Sequence, residues 1–155
     1  MLTEPIPSGF SSITPHIIIK GCSDAIEFYK KAFDAVEIYK SLMPDGRVMH
    51  AMIQIGNSFV MAADEFPEMG ATSPNTIGGT STSLHIYTQD ADKMYNQAIK
   101  AGATPIMPIN DMFWGDRYGQ VQDPYGHRWA IATHVKDVTP EEMQEAAKKL
   151  FSKKE

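Results

Sequence analysis

His16-Ile17-Ile18-Ile19 and His85-Ile86-Tyr87-Thr88 lie 69 residues apart, and each opens on a histidine followed by an apolar or β-branched run that reads as a strand. The same offset sets Gly46 on Gly115, Val60 on Trp129 and Met61 on Ala130. Two units of similar length and layout therefore stand in tandem, and a ligand would lie in the cleft between them.

Around the first stretch, Ile13 to Ile19 reads as one strand, and Asp24 with Glu27 three residues later reads as a capping box opening a helix. Ile26, Phe28, Tyr29, Ala32 and Phe33 recur at helical spacing and predict one buried face. Strands follow at Val36 to Tyr39, Val48 to Ile55 and Ser58 to Ala63, separated by turns at Pro44-Asp45-Gly46 and Gly56-Asn57. The second unit repeats this order. Ser83 to Thr88 is a strand, Asp90 caps a helix that Gly102 ends, and strands lie near Thr104 to Met107, Gly119 to Gln122 and Arg128 to Thr133.

The expected fold is α+β: tandem βαβββ modules whose curled sheets enclose a cavity. The modules are set at 1–66 and 83–135, and the segment 67–82, broken by Pro and Gly, is a linker without helix or central strand. Thr139-Pro140-Glu141-Glu142 opens a C-terminal helix within 136–155 that reaches about Leu150 and is placed to cover a sheet edge or a dimer partner. The whole forms one structural unit.

With 155 residues, 43% hydrophobic and 21% charged, the chain has the composition of a soluble globular protein. A net charge of −5 with scattered Lys and Arg argues against a nucleic-acid partner. No apolar run reaches the roughly 20 residues a membrane helix needs, and the first residues lack a signal-peptide pattern. Cys22 is the only cysteine, so no intrachain disulfide forms, in keeping with a cytoplasmic protein. No nucleophile with a base motif, phosphate loop or dinucleotide fingerprint is present.

The duplicated βαβββ order, with Asp111-Met-Phe-Trp-Gly-Asp-Arg-Tyr-Gly119 and Asp123-Pro-Tyr-Gly-His-Arg-Trp129, resembles the vicinal-oxygen-chelate superfamily, which includes glyoxalase I, bleomycin-resistance proteins and extradiol dioxygenases. The chain is most similar to its PhnB-like branch. The resemblance runs from about Ile13 to His134 and implies paired modules and a homodimer, while the fold alone does not name a chemistry.

Metal-dependent members of that superfamily draw ligands from the first and last strand of each module. The resemblance sets Thr14, Met61, Ser83 and Ala130 at those places, and none is a credible ligand. A slip of two residues keeps the same strand face and brings in His16 and His85, but no carboxylate joins them. No cofactor is expected; a divalent metal at His16 and His85 is the alternative, against which stands the reading of both as hydrogen-bonded cavity or interface residues.

His50, on the face of Met52 and Gln54, and Asp116 are the candidate catalytic groups, with structural packing as the alternative for His50. Phe113 and Trp114 offer a stacking wall, and Arg117 an anchor for an anionic or carbonyl group; alternatively Asp116 and Arg117 pair with each other or with Asp123 to hold a loop. Trp129 either lines the pocket or fills the core. The expected ligand contacts are thus His16, His50, Met61, His85, Phe113, Trp114, Arg117 and Trp129.

Three functions fit these residues. The first is a protein that binds a small aromatic or oxygen-rich molecule between its modules without a catalytic metal. The second is a metal-dependent enzyme, a lyase or oxidoreductase, using His16 and His85. The third is a non-catalytic interaction module.

Overall fold

The computed structural model describes residues 3–152. The elements run β1 (His16–Ile19), α1 (Cys22–Phe33), β2 (Val36–Leu42), β3 (Val48–Ile55), β4 (Ser58–Asp64), α2 (Pro74–Ile77), β5 (Ser83–Tyr87), α3 (Ala91–Ala101), β6 (Thr104–Asp111), β7 (Asp116–Gln122), β8 (Arg128–His134) and α4 (Pro140–Phe151). The strands make two four-stranded mixed sheets of identical topology, ordered β1-β4-β3-β2 and β5-β8-β7-β6. In each sheet the first strand runs parallel to the last, and the other neighbours are antiparallel. The α+β fold of two βαβββ modules is therefore present.

One face of each sheet packs on helix. Ile17, Ile19, Ala51, Ile53, Val60 and Ala62 are buried against α1, whose Ile26, Tyr29 and Phe33 are fully or almost fully buried. The helices α1 and α3 lie against each other, so both modules share one core. Gln97 of α3 ties the pair by donating to the Ala32 carbonyl at 3.3 Å and to the Asp34 carboxylate at 2.9 Å.

Several element boundaries differ from expectation. The first strand starts at His16 rather than Ile13, which is 86% exposed. The helix α1 starts at Cys22, with Gly21 at its N-cap and no side-chain cap of its own, so Asp24 falls in its first turn instead of capping it. The missing cap comes from outside the helix: Asp64 Oδ1 accepts the Gly21 and Cys22 N–H groups at 3.0 Å each, while Oδ2 accepts the Val48 N–H at 2.6 Å. In the segment 67–82, Pro67–Met69 forms a single 3-10 turn and Ser73 caps the short α2. Strands β6 and β7 extend to Asp111 and from Asp116, leaving only a four-residue turn between them and making Asp116 and Arg117 strand residues. The N-cap at Asp90, which accepts the Lys93 N–H, and the capping box of Thr139 with Glu142 form as expected, though α4 buries none of its residues.

Candidate functional site

The face of each sheet turned away from the helices carries the polar and aromatic side chains. Directly opposed strand partners point to one face, so the register reads out rows of neighbours. In the first module His16 faces Met61, Met61 faces Met52 and Met52 faces Tyr39. In the second, His85 faces Ala130, Ala130 faces Gln120 and Gln120 faces Met107. The next row holds Tyr87, Ala132, Tyr118 and Asn110.

This register corrects the placement of Thr14 and Ser83. Thr14 precedes β1, and Ser83 faces Arg128, so the residues opposite Met61 and Ala130 are His16 and His85. In both sheets the pairing is two residues away from that implied by the resemblance: β1 opens only at His16, and β5, which opens at Ser83 as expected, sets Ser83 against Arg128.

On the first face, the His16 and His50 rings are 5.4 Å apart, and the Tyr39 hydroxyl meets His50 Nδ1 at 2.6 Å. Partial burial and the neighbouring His50 lower the pKa of His16, which favours a neutral imidazole there. On the second face, His85 lies 4.6 Å from Tyr87 and 5.7 Å from Tyr118 between ring centroids, and Trp114 stands edge-on to Tyr118 at 5.3 Å. Gln120 donates to the Tyr118 hydroxyl at 2.6 Å. These four rings form a wall above Asp116, which is 4% exposed and accepts from Tyr87 Oη at 3.1 Å and Trp114 Nε1 at 3.2 Å.

A cavity of about 610 Å³ runs along the β5 edge, bordered by Thr14, Phe59, Ser83, His85 and Tyr87. A second, of about 510 Å³, lies between β1 and the linker and is bordered by His16, Thr72, Leu84 and His127. Of the expected ligand contacts, His85 and Trp114 thus belong to the aromatic wall, and His16, His50 and Met61 gather on the open face of the other sheet. Phe113 touches Trp114 edge-on at 5.1 Å and borders a hollow below α4 with Val138 and Ala146. The two catalytic candidates, His50 and Asp116, sit in different sheets with separate partners.

Arg117 and Trp129 do not join the open face. Arg117 shares its strand with Asp116 but points the opposite way, toward α3, where Nε and Nη2 grip Asp92 at 2.8 and 2.9 Å and Nη1 reaches Asp111 at 3.3 Å. It pairs with neither Asp116 nor Asp123. Trp129 touches the end of the first cavity but is 1% exposed, packed on Phe33 at 4.6 Å and Tyr29 at 5.2 Å between ring centroids. Its Nε1 and the Tyr29 hydroxyl both donate to Asp123 Oδ2, at 2.9 and 2.7 Å. Trp129 is therefore a core residue joining the modules, and Asp123, which also accepts the Tyr125 and His127 N–H groups, is the polar centre of that core. Cys22 is buried, and desolvation followed by the Asp64 charge pushes its thiol up to about 12, which removes it as a nucleophile at neutral pH.

The donor set does not suit a metal of the kind the superfamily holds. His16 is faced across the sheet by the Met61 thioether and His85 by the Ala130 methyl group, and among the described residues no group of three or more His, Cys, Asp or Glu converges to hold an ion. Residues missed in the sequence are Tyr39, Tyr87, Tyr118, Gln120 and His134; Tyr87 and Tyr118 stood in the quoted stretches, and their shared parity with His85 and Asp116 was the available signal.

A sequence profile of the Glyoxalase/Bleomycin resistance protein/Dioxygenase superfamily matches residues 11–131. The chain is 39% identical over 138 residues to an uncharacterized protein of Mycobacterium bovis, covering 87% of this chain and 91% of that relative. The crystal structure of a gene product of Arabidopsis thaliana superposes with a TM-score of 0.64 at 25% identity, over 79% of this chain and 98% of that one. The PhnB protein of Bacillus cereus superposes with a TM-score of 0.60 at 18% identity, over 79% of this chain and 99% of the other. With the duplicated topology and the profile match covering both modules, the chain belongs to the glyoxalase/bleomycin resistance protein/dioxygenase superfamily.

Proposed function

We propose that the protein is a PhnB-like binding protein that holds a small aromatic or oxygen-rich molecule on its open sheet faces, without a catalytic metal, as a cytoplasmic homodimer. The observation that carries this reading is the pair of rows His16–Met61–Met52–Tyr39 and His85–Ala130–Gln120–Met107. At the places opposite the two histidines stand side chains suited to apolar contact rather than to a hard cation. The ring wall of His85, Tyr87, Tyr118 and Trp114 supplies stacking surface, and Gln120 and His50 supply polar partners for ligand oxygens.

The dimer is part of the proposal because the open faces and outer strands leave apolar groups in water. Tyr87 is 64% exposed, Val36 58% and Leu42 54%. A second copy of the chain closing over these faces would both bury them and complete an enclosed pocket.

Two measurements test the reading together. Elemental analysis of protein purified without chelator is expected to find no stoichiometric zinc, nickel, manganese or iron. Titration with the uncharged probe N-phenyl-1-naphthylamine is expected to shift tryptophan emission, and Trp114→Ala to abolish that shift. A stoichiometric metal lost in His16→Ala and His85→Ala would instead establish the metal-dependent reading, which the equivalent placement of those two imidazoles favours. Sedimentation showing only monomer would remove the dimer.

A further inference from the structure

His134, the last residue of β8, has a carboxylate on each ring nitrogen. Its Nδ1 meets Asp116 Oδ1 at 2.8 Å and its Nε2 meets Asp137 Oδ1 at 2.8 Å. A neutral imidazole carries one N–H, so both contacts are donations only in the imidazolium form. Asp116 spends its other oxygen on Tyr87 Oη and Trp114 Nε1, two members of the ring wall. The histidine therefore sits one carboxylate away from the surface on which the ligand is proposed to stack.

We propose that His134 is a positioning residue for the aromatic wall: as an imidazolium it clasps Asp116 between the strand end and the connection carrying Asp137, and its deprotonation loosens Tyr87 and Trp114 and weakens ligand binding. The inference rests on the binding role proposed above for that wall.

The surroundings fit a clasp set by one proton. Facing His134 are Asp116 from β7 and Asp137 from the connection to α4, with Tyr87 of β5 and Trp114 of the turn held through Asp116. Arg117, beside Asp116, is turned away and held by Asp92 and Asp111. Lys136, beside Asp137, donates its backbone N–H to the Gly115 carbonyl, as does Val135, at 3.0 and 2.9 Å. These two bonds keep the connection within reach of the imidazole whatever its charge. The bond to Asp137 and then the bond to Asp116 raise the His134 pKa above 6.5. A raised histidine value means that the clasp is complete below pH 6.5 and is lost as pH rises through the higher folded-state value. The side chain is half exposed, so protons exchange with solvent freely.

The test follows N-phenyl-1-naphthylamine affinity and acrylamide quenching of tryptophan emission between about pH 5.5 and pH 9, the range that brackets an imidazole with a raised value. In the wild type, affinity is expected to fall about five-fold or more as pH rises, the size of an ordinary coupling between sites, with Trp114 becoming more quenchable. His134→Gln, which cannot titrate, is expected to abolish the pH dependence of both signals. Asp137→Asn is expected to move the midpoint to lower pH. A wild-type pH profile preserved in His134→Gln, or no profile in the wild type, overturns the proposal. If the probe binds at no pH, the binding role fails, while the quenching difference between wild type and Trp114→Phe still decides whether His134 governs the wall.

Discussion

Asp64 and Thr133 stand 69 residues apart, and each, from the last strand of its module, accepts the first N–H of that module's helix. Asp64 takes Cys22 N–H at 3.0 Å and Thr133 Oγ1 takes Ala91 N–H at 2.8 Å, and these two donors are themselves 69 residues apart. The duplication thus preserves a tertiary bond as well as an element order. It replaces local capping in α1, whose N-cap is a glycine with no side chain to offer.

Because Asp64 serves three N–H groups and Thr133 one, their removal should differ in cost. Asp64→Ala is expected to lower stability by about 2–4 kcal/mol and Thr133→Val by about 1 kcal/mol, since each buried donor left alone costs about 1–3 kcal/mol before relaxation. Urea unfolding with unchanged slope measures both. Thr133 also donates its hydroxyl to the Thr88 carbonyl at 2.8 Å, so equal losses would mean that the Asp64 bonds to Gly21 and Val48 are together worth no more than that one bond.

Arg117 gives a test of strand parity. Its guanidinium is committed to Asp92 and Asp111 on the helix side, and all three groups are partly solvent-exposed. Arg117→Gln is expected to leave probe binding unchanged and to lower stability only slightly, an effect that shrinks further in salt. A large loss of affinity for an anionic ligand would show that the side chain swings to the open face.

Tyr29 couples the core to alkaline pH. Burial first, then the Asp123 charge and hydrogen bond, hold its pKa well above 10. A tyrosine raised in the fold contributes stability that is fully present below the unfolded value of about 10 and is lost as pH rises beyond it. Spectrophotometric titration is expected to leave Tyr29 protonated until the chain unfolds, and Tyr29→Phe, at a cost of about 1–3 kcal/mol for its bond to a carboxylate, should remove this component of alkaline destabilisation.

The repeat was legible because strands announce themselves by β-branching and alternation, and because Asp90, Gly102 and Thr139 carry their capping chemistry locally. Distant caps were not. Nothing near Cys22 indicates that Asp64, 42 residues on, closes its helix. The direction of Arg117 was hidden for a different reason: the stretch after Asp111 reads as loop, whereas pairing of Asp116 with His134 and Arg117 with Thr133 makes it strand and assigns consecutive residues to opposite faces. The same pairing is what reveals His134, which no motif marks.

Gly46 and Gly115, matched by the repeat, make the sharpest comparison. Both have positive φ, at 87° and 98°, so alanine strains the backbone at either place by about 1–2 kcal/mol. Around Gly46 nothing lies within 4 Å of an added Cβ, whereas at Gly115 that atom would fall 1.9 Å from the Lys136 carbonyl oxygen. No side chain can yield there, because the obstacle is backbone held by the Gly115 carbonyl itself. Gly46→Ala is therefore expected to show only the φ cost, and Gly115→Ala more than about 3 kcal/mol together with release of the 135–138 connection. Calorimetry measures the first difference. Limited proteolysis after Lys136 measures the second, since cleavage there needs the connection to leave the turn, and comparable behaviour of the two variants would mean that the turn does not anchor the C-terminal segment.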